Sequence, residues 1–212
     1  MFDTYIFDLD GTLLDTIEDL AIAVNYSLEK NNYPLRTLEE VSSFVGNGVF
    51  KLMERAIGVK GVDVAKPLDD FLTYYRAHSA VKTKPYDGII EVLQELKKSG
   101  KKTAIVSNKI DCATKELAKI YFDGLIDVAL GENEAGGIRK KPAREAIDLA
   151  LKELNADASS AVYVGDSEVD IQTAKNAGMT CISVTWGLRE ENFLKESGGG
   201  IFAHSPKEIL NF

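Results

Sequence analysis

Thr4-Tyr5-Ile6-Phe7-Asp8-Leu9-Asp10-Gly11-Thr12 is an apolar run that ends in two aspartates one residue apart, followed by a Gly-Thr step. Side chains at positions i and i+2 of an extended chain leave on the same face. Asp8 and Asp10 therefore aim two carboxylates at one small volume where a strand ends. A fold tolerates that repulsion when a cation sits there or when one carboxyl keeps its proton. Both outcomes point to chemistry rather than to packing.

Outward from this run, β-rich apolar stretches recur. Strands are predicted at 4–9, 103–107, 125–130, 161–164 and 180–184. Helical periodicity fills the later gaps, at 89–99, 111–121, 143–154 and 169–177, with Gly178 as a C-cap. Strand–helix alternation predicts an α/β fold, a doubly wound parallel sheet with helices on both faces. In such sheets the working site lies beyond the carboxyl ends of the strands. Residues 15–82 break the alternation and read as helix only, at 16–31, 37–44, 48–57 and 66–80. The expected organisation is a core of 1–14 and 83–212 with an all-helical cap inserted at 15–82. Residues 14–16 and 83–88 are its two connections, and Ile201-Phe202 is a further short apolar run. Tyr26, Tyr33, Tyr74 and Tyr75 read as packing within the insertion.

Three more predicted segment ends carry polar clusters. Ser107-Asn108-Lys109 offers a hydroxyl and backbone N–H groups, which suit a phosphate or else cap the helix that follows. Gly165-Asp166-Ser167-Glu168-Val169-Asp170 sets three acids within five residues. They suit a hard cation such as Mg²⁺, or else complement a helix dipole. Arg139-Lys140-Lys141-Pro142 places three cations before a helix with Pro142 at its first position, as a counter-charge or as a solvated patch. The four clusters leave different ends of one predicted sheet, and together they offer a nucleophile, phosphate donors, a cation and metal carboxylates.

Other features restrict the reading. The 212-residue chain is 45% hydrophobic and 27% charged, enough for a real core, and its net charge of −8 opposes nucleic-acid binding. Gly46-Asn47-Gly48 lacks the third glycine of a dinucleotide loop, and Gly100-Lys101-Lys102-Thr103 has no P-loop spacing. His78 and His204 are isolated. Cys112 and Cys181 read as small core or near-core residues rather than a disulfide. No stretch approaches the ~20 apolar residues of a membrane span, and the start carries Asp3 and no basic segment. A protein of a reducing cytoplasm is expected.

Asp8-Leu9-Asp10-Gly11-Thr12, Ser107-Asn108, Lys141-Pro142 and Gly165–Asp170, in that order and over nearly the whole chain, resemble the haloacid dehalogenase superfamily of phosphohydrolases. Val45-Gly46-Asn47-Gly48 and Pro85-Tyr86-Asp87-Gly88 are similar to its phosphoglycolate phosphatase group. The family's Lys-Pro-x-Pro is here Lys141-Pro142-Ala143-Arg144. Lys141 is preferred to Lys140 as the family's lysine because it directly precedes the proline.

The resemblance implies a Mg²⁺-dependent phosphatase acting on a small phosphorylated metabolite through an aspartyl-phosphate. Asp8 would be nucleophile and Mg²⁺ ligand. Asp10 would be acid and base, giving the metal its backbone carbonyl. Asp166 would complete the metal ligands, with Asp170 in support. Lys141, Ser107 and the Asn108 backbone would hold phosphoryl oxygens, and Gly11 would turn the chain close to the phosphate. The loop 44–50 is the expected substrate reader, with Asn47 and Lys51 facing the leaving group; alternatively it is a helix-start turn. A phosphomutase of the β-phosphoglucomutase type or an inorganic pyrophosphatase on the same fold are the alternatives, and a receiver-like phospho-accepting domain a remote one. Asp10 argues against dehalogenation, which needs no second acid.

Overall fold

The computed structural model describes residues 2–212. In chain order, β1 (Thr4–Phe7) and β2 (Leu14–Asp15) precede four helices, α1 (Ile17–Lys30), α2 (Leu38–Phe44), α3 (Val49–Ile57) and α4 (Ala65–His78). There follow β3 (Lys84–Pro85), α5 (Ile89–Lys98), β4 (Lys102–Ile110), α6 (Asp111–Phe122), β5 (Val128–Glu132) and α7 (Glu145–Leu154). The chain ends with β6 (Ala161–Gly165), α8 (Glu168–Ala177), β7 (Thr180–Val184), α9 (Glu191–Glu196) and β8 (Phe202–Ala203).

Six strands form one parallel sheet in the order β5-β4-β1-β6-β7-β8. β1 lies between β4 and β6, where the chain turns from one half of the sheet to the other. That switch point is where α/β sheets bind ligands. The two faces follow the alternation of β1. Tyr5 and Phe7 pack with α5 and α6 in one buried cluster, and Ile6 packs with α7 and α8 in another. Ladder hydrogen bonds and apolar cover on both faces fix the register of β1, and with it the position of Asp8.

The short ribbon β2–β3 is antiparallel and joins the helical insertion to the sheet. α1 to α4 close around their own apolar cluster, with Val24, Leu28, Val41, Met53 and Phe71 fully buried. Thr37 opens α2 with a reciprocal Ser/Thr–Glu cap completed by Glu40. Asp19, buried in the first turn of α1, accepts the N–H groups of Val81, Lys82 and Thr83, which ties the two connections together.

Several expectations are corrected. β4 runs on to Ile110, with a register irregularity between Val106 and Ile110. Pro142 does not open α7: residues 140–143 make a turn first, Ala143 N–H to Lys140 C=O, and the helix begins at Glu145. Cys112 is exposed because Thr114, Leu117 and Ala118 form the inward side of α6; Cys181 is half-buried and free. No described helix is long and apolar enough to cross a membrane.

Candidate active site

Asp8 directly follows β1, and its N–H continues the ladder to Val164 C=O at 2.9 Å. Its Oδ1 accepts Leu9 N–H at 2.7 Å and lies 2.9 Å from Lys141 Nζ. Asp166 follows β6, and Asp170 sits one turn into α8. Asp8, Asp166 and Asp170 are buried, and each offers an oxygen within 4.8 Å of the other two. The sheet thus brings together three acids and one lysine from three separate segments of the chain, around residues 8, 141 and 166–170.

Lys141 is 4% exposed. Its ammonium donates to Asp170 Oδ1 at 2.7 Å and to Tyr163 Oη at 2.9 Å, besides facing Asp8. Tyr163 in turn donates to Val106 C=O. Asp170 accepts Asp166 N–H, Ser167 N–H and Ser167 Oγ on its other oxygen. Both carboxylate oxygens of Asp170 are therefore engaged, one by Lys141 and the other by the loop. The acidic stretch does also cap α8, since Ser167 and Asp170 form a reciprocal cap, while Glu168 turns away to Arg189. Asp166 is held by Thr12 Oγ1 at 3.0 Å and Leu188 N–H at 2.8 Å. Gly11 has φ +85°, and a Cβ there would lie 2.3 Å from Asp166 Oδ2. Only glycine permits both that backbone and that approach.

Electrostatics follow from the crowding. Burial raises the Asp8 carboxyl, Lys141 opposes it, Asp170 and Asp10 reinforce it, and the net is a shift up to about 6. Burial, then Asp170 and Asp8, push Asp166 up to about 8. Burial works against the charge on Lys141 and Lys109. Asp170 and Asp8 around the first, and Asp10 and Tyr75 around the second, outweigh it and hold both ammonium groups above the ordinary lysine value.

The donor set consists of carboxylate oxygens, with no histidine or cysteine in the cluster, and two of its acids are raised by burial and by the neighbouring carboxylates. This fits a hard divalent cation.

Asp10 stands apart from the cluster. Its carboxylate pairs with Lys109 Nζ at 2.9 and 3.2 Å. Asn108 spends its side chain on structure: Oδ1 accepts Lys141 N–H, and Nδ2 donates to Lys141 C=O and to Gly46 C=O of the insertion. Ser107 Oγ accepts Lys109 N–H at 3.3 Å, and no side chain caps α6, so the capping alternative for Ser107-Asn108 fails.

Asp8, Asp10, Ser107, Asn108 and Lys109 share a cavity of about 40 Å³ with residues of the insertion. Gly46 and Gly48 border this cavity, but Asn47 and Lys51 do not. Asn47 accepts Arg55 Nη2 and faces a separate outer groove. Lys51 is exposed and pairs with Glu54. Val49 faces the cavity, and two residues along a helix is about 200° of rotation, so Lys51 points away. Leu52 and Tyr75 take the places expected of Asn47 and Lys51. Tyr75 was read as packing, Thr12 and Lys109 lay in the quoted motifs without a role, and Tyr163 was not singled out by the sequence. A lysine directly after Ser-Asn and a tyrosine inside the apolar run Ala161–Gly165 were the available signals.

The profile of the haloacid dehalogenase-like hydrolases matches residues 5–184. The chain is 32% identical to the phosphoglycolate phosphatase of Caulobacter vibrioides, over 97% of this chain and 88% of that protein. It is 33% identical to the phosphoglycolate phosphatase of Colwellia psychrerythraea, over 92% and 90%. A crystal structure from Lactobacillus delbrueckii subsp. bulgaricus, provisionally named a phosphoglycolate phosphatase, superposes with a TM-score of 0.91 at 35% identity, covering 98% of this chain and 96% of that one. With the sheet order and the four converging segments, these similarities show that the chain belongs to the haloacid dehalogenase-like hydrolases and is a phosphatase, similar to the phosphoglycolate phosphatases among them.

Proposed function

We propose that the protein is a Mg²⁺-dependent phosphatase that hydrolyses phosphoglycolate or a similarly small phosphorylated acid, with Asp8 as nucleophile. The observation that carries this reading is the convergence of Asp8, Asp166, Asp170 and Lys141 on one buried point, with Asp8 also lining the small cavity. The relatives named phosphoglycolate phosphatases support the substrate.

In the first half-reaction an Asp8 carboxylate oxygen bonds to phosphorus as the bond to the leaving oxygen breaks. Asp10 gives that oxygen its proton. In the second, water attacks phosphorus, Asp10 takes the water's proton, and Asp8 is released with phosphate. Lys109 holds Asp10 in place through both halves. Lys141 and the backbone at Ser107 and Asn108 stabilise charge on the phosphoryl oxygens, and Asp170 keeps Lys141 aimed at Asp8. Asp8 and Asp166, with Asp170 in support and the Asp10 backbone carbonyl as the family pattern implies, would hold Mg²⁺, which when bound neutralises phosphoryl charge. The helical insertion, 15–82, acts as a cap that excludes bulk water. A cytoplasmic location fits the free cysteines.

The test is phosphate release from phosphoglycolate with Mg²⁺ or with EDTA, for the wild type and Asp8→Asn. Release should require the metal and fall at least about a thousandfold in the variant. Equal release by the two proteins would overturn the assignment of Asp8. Isomerisation of a sugar phosphate without net phosphate release would overturn hydrolysis.

A further inference from the structure

Beyond the phosphate end, the cavity holds a polar pair that the reaction above leaves half used. Tyr75 comes from α4 of the insertion and is 4% exposed, yet its hydroxyl makes no well-formed hydrogen bond among the described residues, and the polar group beside it is the Lys109 ammonium. A buried hydroxyl without a partner costs stability, and its partner is often a ligand. The Lys109 ammonium lies 4.8 Å from the centre of the Tyr75 ring. Its recorded hydrogen bonds both go to Asp10, although an ammonium carries three hydrogens. Around the pair the walls are apolar, among them Leu20 and Leu52, and the only acids lining the cavity are Asp8 and Asp10 at its phosphate end.

We infer that Tyr75 Oη and Lys109 Nζ form the subsite for the leaving group and that it receives a short carboxylate. This rests on the phosphatase reading above and names the residues that read the substrate. One hydroxyl and one ammonium are donors matched to an anion, and the insertion's acid near Tyr75, Asp19, has its oxygens taken by the N–H groups of Val81, Lys82 and Thr83. The cavity is small, about 40 Å³, on the order of a few water-sized groups. Among phosphorylated compounds a two-carbon acid asks least of that space, and a sugar ring does not fit while the helices stay where they are. Lys109 then bridges two acids, the leaving group's carboxylate and Asp10, and sets the proton donor beside the oxygen it must protonate.

The experiment compares phosphoglycolate with 2-hydroxyethyl phosphate, which replaces the carboxylate by a hydroxymethyl group. kcat/KM is measured with Mg²⁺ for the wild type, Tyr75→Phe and Lys109→Gln. Phe keeps the ring that stacks on Phe71 at 5.4 Å, and thermal melting confirms that each variant folds. The wild type should prefer phosphoglycolate, and Tyr75→Phe should lower that preference at least about tenfold, the worth of one hydrogen bond to a charged group. Lys109→Gln should lower the preference and, through Asp10, also slow the uncharged ester. Equal losses on both esters in Tyr75→Phe would show a structural role and overturn the subsite. A wild type that hydrolyses the uncharged ester as well as phosphoglycolate would overturn the subsite but leave the phosphatase reading standing. Release from neither ester would overturn both.

Discussion

Gly11 shows how much of the site depends on a missing atom. Its φ of +85° and the 2.3 Å that would separate a Cβ from Asp166 Oδ2 act on the same residue. Gly11→Ala should cost ~1–3 kcal/mol in a denaturant titration, through the left-handed backbone alone. It should also displace Asp166 and reduce phosphate release well beyond what that loss of stability explains. The acids make a separate statement about pH. With no metal bound, Asp8 and Asp166 titrate near 6 and 8, above their unfolded values near 4. The folded state therefore binds more protons than the unfolded one across that window, and the two groups subtract stability as pH rises from about 4 to 8. A cation between them removes the penalty, so Mg²⁺ should raise the melting temperature more at pH 8 than at pH 6, by ~1–2 kcal/mol or about 2–8 °C. An equal increment at both pH values, read by thermal shift against EDTA, would show that the acids are not the metal's ligands.

At the level of elements, β4 and α1 carry the instructive cases. β4 was legible as a strand from Thr103 to Ser107, because these residues are continuously buried. Its last residues were not, because Asn108-Lys109 reads as loop. Pairing with β5 carries the strand through the irregularity to Ile110, and this presents three polar residues to the site. The strand ends bearing Asp8 and Asp166 were readable because motif and periodicity agree there. Tyr75 was not. Periodicity correctly turns it inward on α4, against Phe71. Whether that inward face also borders the site depends on how the insertion docks, which no local pattern encodes. Asn47 and Lys51 failed for the same reason: the glycines beside Asn47 do reach the cavity, but the helix that follows directs Val49 and Leu52 to it. For α1, Asp19 binds three successive N–H groups of the returning chain. Asp19→Ala should lower stability by about 2–4 kcal/mol in urea, and a loss below ~0.5 kcal/mol would show the clamp to be ornamental.

For the molecule as a whole, the apolar clusters of the sheet and that of the insertion are joined by polar contacts. Arg189, from the loop after β7, donates to Val45 C=O at 2.7 Å and to Ser42 C=O at 3.4 Å, while Asn108 holds Gly46 C=O at 2.9 Å. Seams of a few hydrogen bonds open more readily than cores do. Arg189→Ala should therefore speed amide exchange in residues 42–49 by about tenfold and leave residues 103–106 of the sheet unchanged. Uniform acceleration in both segments would mean global destabilisation instead. The position of β1 has a consequence for synthesis. This strand is made first, yet its neighbours are Lys102–Ile105 and Ala161–Val164. At ~5–20 residues per second a ribosome needs roughly 10–30 s between making β1 and making its second partner. Through that interval at least one edge of Thr-Tyr-Ile-Phe stays unpaired and aggregation-prone. The acidic cluster comes into being only when β6 pairs beside β1 and the chain beyond it supplies Asp166 and Asp170, so a product terminated before them should be inert rather than partly active.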